Sequence, residues 1–192
     1  MNAASPKDIA ALLKQERRYD VVPTQVMASM TGLDFVRAIF DGRLPAPPIM
    51  QPILPFDAAA ENGTVAFSTV PAFRHYNPIG LVHGGYAATL LDSAMGLAIH
   101  TMLPAGIGYS TLEFKVSFIR GMTTDTGPVR TEGKVLNVGK RAATADGNDL
   151  NVNAGGPFEG RHDLSQKSGV LNARGRAHVE HGRRPVTGGE PE

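Results

Sequence analysis

The chain has 192 residues, with 19 Lys and Arg against 18 Asp and Glu, and no cysteine. So even a charge balance gives no basic field for nucleic acid or an anionic membrane surface. The lack of cysteine excludes a disulfide scaffold, a thiolate nucleophile and Cys-based zinc sites, and fits a reducing cytoplasm.

Residues 1–20 are polar and charged, without the apolar stretch of a signal peptide. Within them a short surface helix is expected over residues 8–18, around Ile9, Leu12 and Leu13, and residues 1–30 read as an N-terminal arm. Thr31-Gly32-Leu33-Asp34 has the form of a capping box with Asp in place of Glu. Leu33, Val36, Ile39 and Phe40 follow at helical spacing and stop at Gly42. Residues 43–55 are rich in proline and form an extended connector. Residues 64–70 are β-branched and strand-like. The longest apolar segment, residues 80–103, is interrupted by His83, Asp92, Ser93 and His100, so it reads as a buried helix and not as a membrane span. That helix begins near Gly84, buries Ala87, Leu90, Leu91, Ala94, Met95, Ala98 and Ile99, and ends at Pro104 and Gly106.

Leu112, Phe114, Val116 and Phe118 alternate with Thr111, Glu113, Lys115 and Ser117, the pattern of a strand with one apolar face. A polar turn at 123–128, a second strand at 129–138 and a third starting at Lys140 after Gly139 complete the regular part. Strand, long helix, then antiparallel strands is an α+β order in which one sheet wraps a single helix. From Gly147 the composition turns to Gly, Asn, Arg, His and Pro, which reads as a disordered tail over residues 147–192.

Chemistry concentrates between Asn77 and Asp92. Asn77-Pro78 leads through His83 into Gly84-Gly85, where unpaired N–H groups of a helix start can hold an oxyanion or a polarised carbonyl. Asp92 is a carboxylate inside an otherwise apolar helix, a costly placement unless its charge is used or satisfied. Each residue also has a plainer reading. Asp92 can bond a neighbouring hydroxyl, the glycines can allow close helix packing, His83 can be a helix-start residue, and Asn77 a turn. Gly84 and Asp92 lie eight residues apart, roughly 12 Å along a helix axis and about 80° around it. If both act on one substrate they come from two chains, so the chemistry suggests a dimer.

Asn77-x5-His83-Gly84-Gly85-x6-Asp92 resembles the active-site signature of the hotdog-fold acyl-CoA thioesterases of the phenylacetate-pathway (PaaI-like) type. The resemblance covers residues 31–146, which then form the hotdog domain, an antiparallel sheet wrapped around one long central helix. It implies that Asp92 acts as general base on water or as nucleophile on the thioester carbon. The Gly84 N–H would hold the developing oxyanion, Asn77 and His83 would orient the thioester or the water, and Thr111 would position the attacking water, with Ser110 as its alternative. Gly85, Arg120, Lys140 and Arg141 are the candidate substrate contacts, the three basic ones toward CoA phosphates, although a solvated strand end explains these three as well. The implied substrate is a small, medium or aromatic acyl-CoA, the implied assembly a homodimer or a dimer of dimers, and no metal or redox cofactor is implied. His178-x-x-His181 lacks the carboxylate or Cys companions of a metal site.

In the family a final apolar strand lies within the sheet. Here that strand is missing or replaced by a segment read from Asn148 onward, as though the tail were translated in a shifted frame; the coding DNA in three frames would test that. Two rival readings follow: a hotdog hydratase, which would want a His and an Asp close together at one helix start, and a catalytically impaired remnant that binds acyl-CoA or merely dimerises.

Overall fold

The computed structural model describes residues 16–151 and 168–171. The surface helix expected at residues 8–18 falls almost wholly outside them, as do most of residues 147–192 and the pair His178 and His181.

Thr31 does cap a helix. Its hydroxyl accepts the Asp34 N–H at 3.2 Å and donates to the Asp34 carboxylate at 2.7 Å, at the start of the helix Gly32–Phe40. A shorter helix, α1 (Thr24–Ala28), precedes it, so Gly32–Phe40 is α2. The connector at residues 43–55 holds a turn of 3-10 helix, Pro48–Met50. The strands β1 (Phe56–Glu61) and β2 (Thr64–Thr69) then form a hairpin, turning at Gly63, whose φ of 82° suits glycine. The long helix α3 (Gly84–His100) follows, then β3 (Ser110–Phe114), β4 (Val129–Val138), β5 (Ala142–Asn151) and β6 (Ser168–Leu171).

These six strands form one sheet in the order β1-β2-β4-β5-β6-β3, with every pairing antiparallel. α3 packs against this sheet, chiefly on β4, β5 and β2. Leu90, Leu91, Met95 and Ile99 are fully buried, each burial stabilising the fold by about 1.5–3 kcal/mol. A helix apolar on most sides needs partners all round, and this one has the sheet on one side and α2 on another. The close approach depends on Gly133 of β4. A Cβ there would stand 2.4 Å from the Ala94 carbonyl, so any larger residue would push α3 off the sheet. At the far end Thr101 ties α3 to the β1–β2 turn, accepting the Gly63 N–H at 2.8 Å and donating to the Ala98 carbonyl at 2.6 Å.

Two expectations change. The domain edge placed at Asp146 falls inside β5, which pairs with β4 as far as Val129↔Asn151. Its inward positions Ala143, Ala145, Gly147 and Asp149 stay buried while the intervening residues are more exposed, so the period-2 pattern survives the change of composition. The alternating run at residues 111–118 is strand only to Phe114, and on its apolar side Leu112 (56 %) and Phe118 (59 %) are exposed while Val116 packs against the core. The four residues of β6 lie between β5 and β3 in the sheet. Among the described residues no helix is long and apolar enough to cross a membrane.

Candidate active site

The loop from Ala72 to His83 is built to present a helix start. The His75 ring is held at both nitrogens, Nδ1 accepting the Ala72 N–H at 3.0 Å and Nε2 donating to the Pro52 carbonyl at 2.8 Å. It stacks on Tyr86 with ring centres 4.4 Å apart, and burial holds its pKa below the usual histidine value. Asn77 Oδ1 accepts the N–H groups of Ile79 and Leu81, both at 3.1 Å, which closes the loop so that Tyr76 bridges Val82. The His83 N–H donates to the His75 carbonyl at 2.7 Å. His83 then caps α3, its Nδ1 accepting the Gly85 N–H at 2.8 Å. The Gly84 N–H is thereby left at the helix start with no acceptor among the described residues, the arrangement that suits an oxyanion. Phe118 lies against Gly84, where a Cβ would stand 3.1 Å from its ring.

Asp92 sits two turns further along α3, half-buried. Thr111 donates its hydroxyl to Asp92 Oδ1 at 2.9 Å; Ser110, the alternative, is exposed. Residues 109 and 111 share the strand parity that faces α3, and Tyr109 joins Asp92 at the wall of one cavity. Burial raises the Tyr109 phenol pKa, and the Asp92 charge adds to the rise. Sequence reasoning missed Tyr109, although its spacing from Thr111 was a usable signal. It also missed the cavity, about 410 Å³, which opens beside Asp92 and Ser93 between α2, α3 and the connector.

The candidates therefore divide. Asp92 and Thr111 meet. Asn77, His83, Gly84 and Gly85 form a separate cluster at the start of α3, with Asn77 and His83 bonded to backbone. Eight helical residues separate Gly84 from Asp92, about 12 Å of rise. Arg120, Lys140 and Arg141 are exposed and belong to no ion pair among the described residues. Lys140 and Arg141 occupy the tip of the β4–β5 hairpin, closed by the Gly139 N–H to the Ala142 carbonyl at 2.8 Å. Among the described residues no group of three or more His, Cys, Asp and Glu is placed to hold a metal.

A second polar cluster lies nearby but inside the core. Asp149 of β5 is 2 % exposed and takes the Thr131 hydroxyl at 2.5 Å on Oδ1, while Oδ2 is buried with no partner among the described residues. Burial pushes its pKa up to about 7, against the pull of the Thr131 bond. Tyr86, also raised by burial and then by the Asp149 charge, reaches about 12.

Residues 79–148 match the thioesterase superfamily. A protein of Halobacterium salinarum named as an esterase is 36 % identical over 69 residues, 35 % of this chain and 44 % of that protein, so the match spans less than half of that relative. Among solved structures, a phenylacetic acid degradation-related thioesterase of Ralstonia eutropha superposes with a TM-score of 0.60 at 19 % identity, over 71 % of this chain and 98 % of that one. A Streptococcus mutans protein solved with acetyl-CoA does so with a TM-score of 0.51 at 21 % identity, over 61 % of this chain and 87 % of that one.

Proposed function

We propose that this chain, a hotdog fold whose residues 79–148 match the thioesterase superfamily, hydrolyses acyl-CoA thioesters to free acid and CoA. The observation that carries the reading is the Thr111–Asp92 hydrogen bond beside an apolar cavity. Thr111 fixes one carboxylate oxygen and leaves the other to take a proton from water, or to attack the thioester carbon itself. In the first case water adds to the carbonyl carbon, its proton passes to Asp92, and the C–S bond breaks as CoA leaves and recovers that proton. The carbonyl oxygen, negative in the tetrahedral state, needs a donor, and Gly84 of the same chain is too far along α3 to supply one. The reading therefore pairs Asp92 of one chain with the Gly84 N–H of a second copy.

The outward apolar side chains Leu112, Phe114, Phe118 and Ile119 run along β3 and the loop after it, an uncovered edge of the kind that pairs with another strand. The fold relatives solved with CoA or acetyl-CoA support an acyl-CoA substrate. On this reading no cofactor takes part, Arg120, Lys140 and Arg141 serve CoA phosphates, and the setting is cytoplasmic.

The test is release of CoA thiol from acyl-CoA, followed with a thiol reagent; a chain without cysteine contributes no background. Asp92→Asn should lower kcat about 100- to 1000-fold. Light scattering after size-exclusion chromatography should give a dimer or a tetramer. Hydrolysis by a strict monomer, or full activity of Asp92→Asn, overturns the two-chain mechanism.

A further inference from the structure

Tyr109 carries a hydroxyl at the cavity wall that the mechanism above leaves unused. Asp92 and Ser93 of α3 line the cavity with it, and Arg17 and Asp20 of the arm are its other charged lining residues. The phenol oxygen lies against Gly96: a Cβ on that glycine would stand 2.4 Å from Oη and 2.9 Å from the ring. Gly96 is buried inside α3, where glycine is a much poorer helix former than alanine. What it provides there is room for the phenol. Gly96 follows Asp92 by four residues, one turn and about 6 Å along the same helix face. Two residues apart on a strand span about 6.6 Å, and Thr111 meets Asp92 while Tyr109 meets Gly96. The two hydroxyl groups therefore stand on one face of α3, one at the carboxylate and the other a turn beyond it. The ring itself is held. It tilts on the buried His100 ring with centres 5.7 Å apart, and His100 tilts in turn on Phe35 of α2 at 5.1 Å. Tyr109 Oη has no hydrogen-bond partner among the described residues. Burial and the Asp92 charge both raise its pKa, so it stays a neutral hydroxyl at neutral pH.

Resting on the thioesterase reading, we infer that Tyr109 is a further catalytic residue, whose phenol oxygen holds the attacking water together with the free oxygen of Asp92. Thr111 occupies Oδ1, which turns the second carboxylate oxygen to the cavity. A water there gives one hydrogen bond to Asp92 and the other to Tyr109 Oη, and the two bonds aim its lone pair at the thioester carbon. As the water oxygen adds to that carbon, its first proton passes to Asp92. The C–S bond then breaks and the CoA sulfur takes that proton back. The second hydrogen stays on the added oxygen and leaves with the product acid. Tyr109 neither gains nor loses a proton, which suits a phenol whose ionisation is suppressed. A ring seated between Gly96 and His100 gives this water a fixed acceptor before substrate arrives.

The experiment measures kcat and KM on acetyl-, octanoyl- and phenylacetyl-CoA for the full chain, Asp92→Asn, Tyr109→Phe, Gly96→Ala and the double variant of the last two. Tyr109→Phe keeps the ring and removes only the oxygen. Its kcat should fall about 5- to 20-fold, with KM within about twofold of the parent chain and the thermal melt within about 2 °C. Gly96→Ala should lower kcat by a similar factor, because the new Cβ displaces the phenol. Made in Tyr109→Phe, the same change should cost no more than about twofold further, since the group it displaces is already gone. Should Gly96→Ala not fold, Tyr109→Phe decides by itself. Unchanged kcat in Tyr109→Phe, a loss that appears in KM, or a loss matched by a lower melt overturns the role of Tyr109. In each of those cases an inactive Asp92→Asn leaves the thioesterase reading standing. A full chain that releases CoA from none of the three substrates overturns both.

Discussion

Thr111 reaches Asp92 from a strand that is joined to the sheet, among the described residues, through β6 alone: Thr111 pairs with Val170, and Val170 pairs in turn with Ala143. The geometry of the carboxylate therefore depends on a hydroxyl whose own position is set two strands away. Hydrogen bonds to a charged group contribute about 1.5–3 kcal/mol. Thr111→Val should lower kcat about 10- to 100-fold with little change in the thermal melt, and Thr111→Ser should recover most of the loss. A Thr111→Val enzyme with unchanged kcat would remove this residue from the mechanism.

A proline in β6 tests the same link from the other side. Val170→Pro removes a backbone donor from a strand paired on both edges. It should release β3, abolish CoA release, and shift the protein toward aggregates on size-exclusion chromatography through the freed Leu112 and Phe114 edge. An active, well-behaved Val170→Pro protein would show that β3 is held by something other than β6.

Asp149 makes stability depend on pH in the less common direction. Its folded pKa of about 7 lies above the model-peptide value of 3.8, so the folded state holds the proton more tightly than the unfolded state. Stability is then highest below pH 4 as far as this group is concerned, falls as pH rises through the window from about 4 to about 7, and is flat above it. Asp149→Asn stays neutral throughout, and its side-chain oxygen can still accept the Thr131 hydroxyl. At pH 8 the variant should melt about 5 °C or more above the parent chain, and at pH 4.5 the two should nearly coincide. Parallel melting curves at all pH values would contradict the buried carboxylate.

Two glycines separate tight packing from adjustable packing. At Gly133 a new Cβ meets the backbone of Ala94 and Met95, whereas at Gly147 it meets mainly the movable ends of Met95 and Leu91. Gly133→Ala should cost about 3 kcal/mol or more in urea unfolding and displace Asp92 two residues away, so activity should fall with stability. Gly147→Ala should cost about 1 kcal/mol and leave kcat nearly intact. The reverse ranking would mean that β5, and not β4, sets the height of α3.

Local signals were readable in the sequence where one residue type has one job. The Thr31 cap, the stop at Gly42, the α3 start at Gly84 and the span of β4 all follow from such signals. β1 escaped because Phe-Asp-Ala-Ala-Ala-Glu has the composition of a helix; its strand state comes from pairing with β2 and includes a bulge near Asp57, whose φ is 48°. β6 depends on tertiary context too, since its four residues pair on both sides with β3 and β5. Of the candidate site residues, Thr111 and Asp92, which the family resemblance singles out, are joined by a hydrogen bond. The cavity was not legible in the sequence, because its walls come from segments far apart in sequence whose meeting is a tertiary fact.

The position of β6 has a consequence for synthesis. The cavity walls lie early in the chain, up to Tyr109, but the edge carrying Thr111 waits for a partner that the ribosome delivers some sixty residues later. At about 5–20 residues per second that edge stays unpaired for roughly 3–12 s while its leucine and phenylalanine are already outside the tunnel. The newborn chain is thus most exposed to misassociation in this interval, and its yield in a cell should respond to translation speed and to holding chaperones.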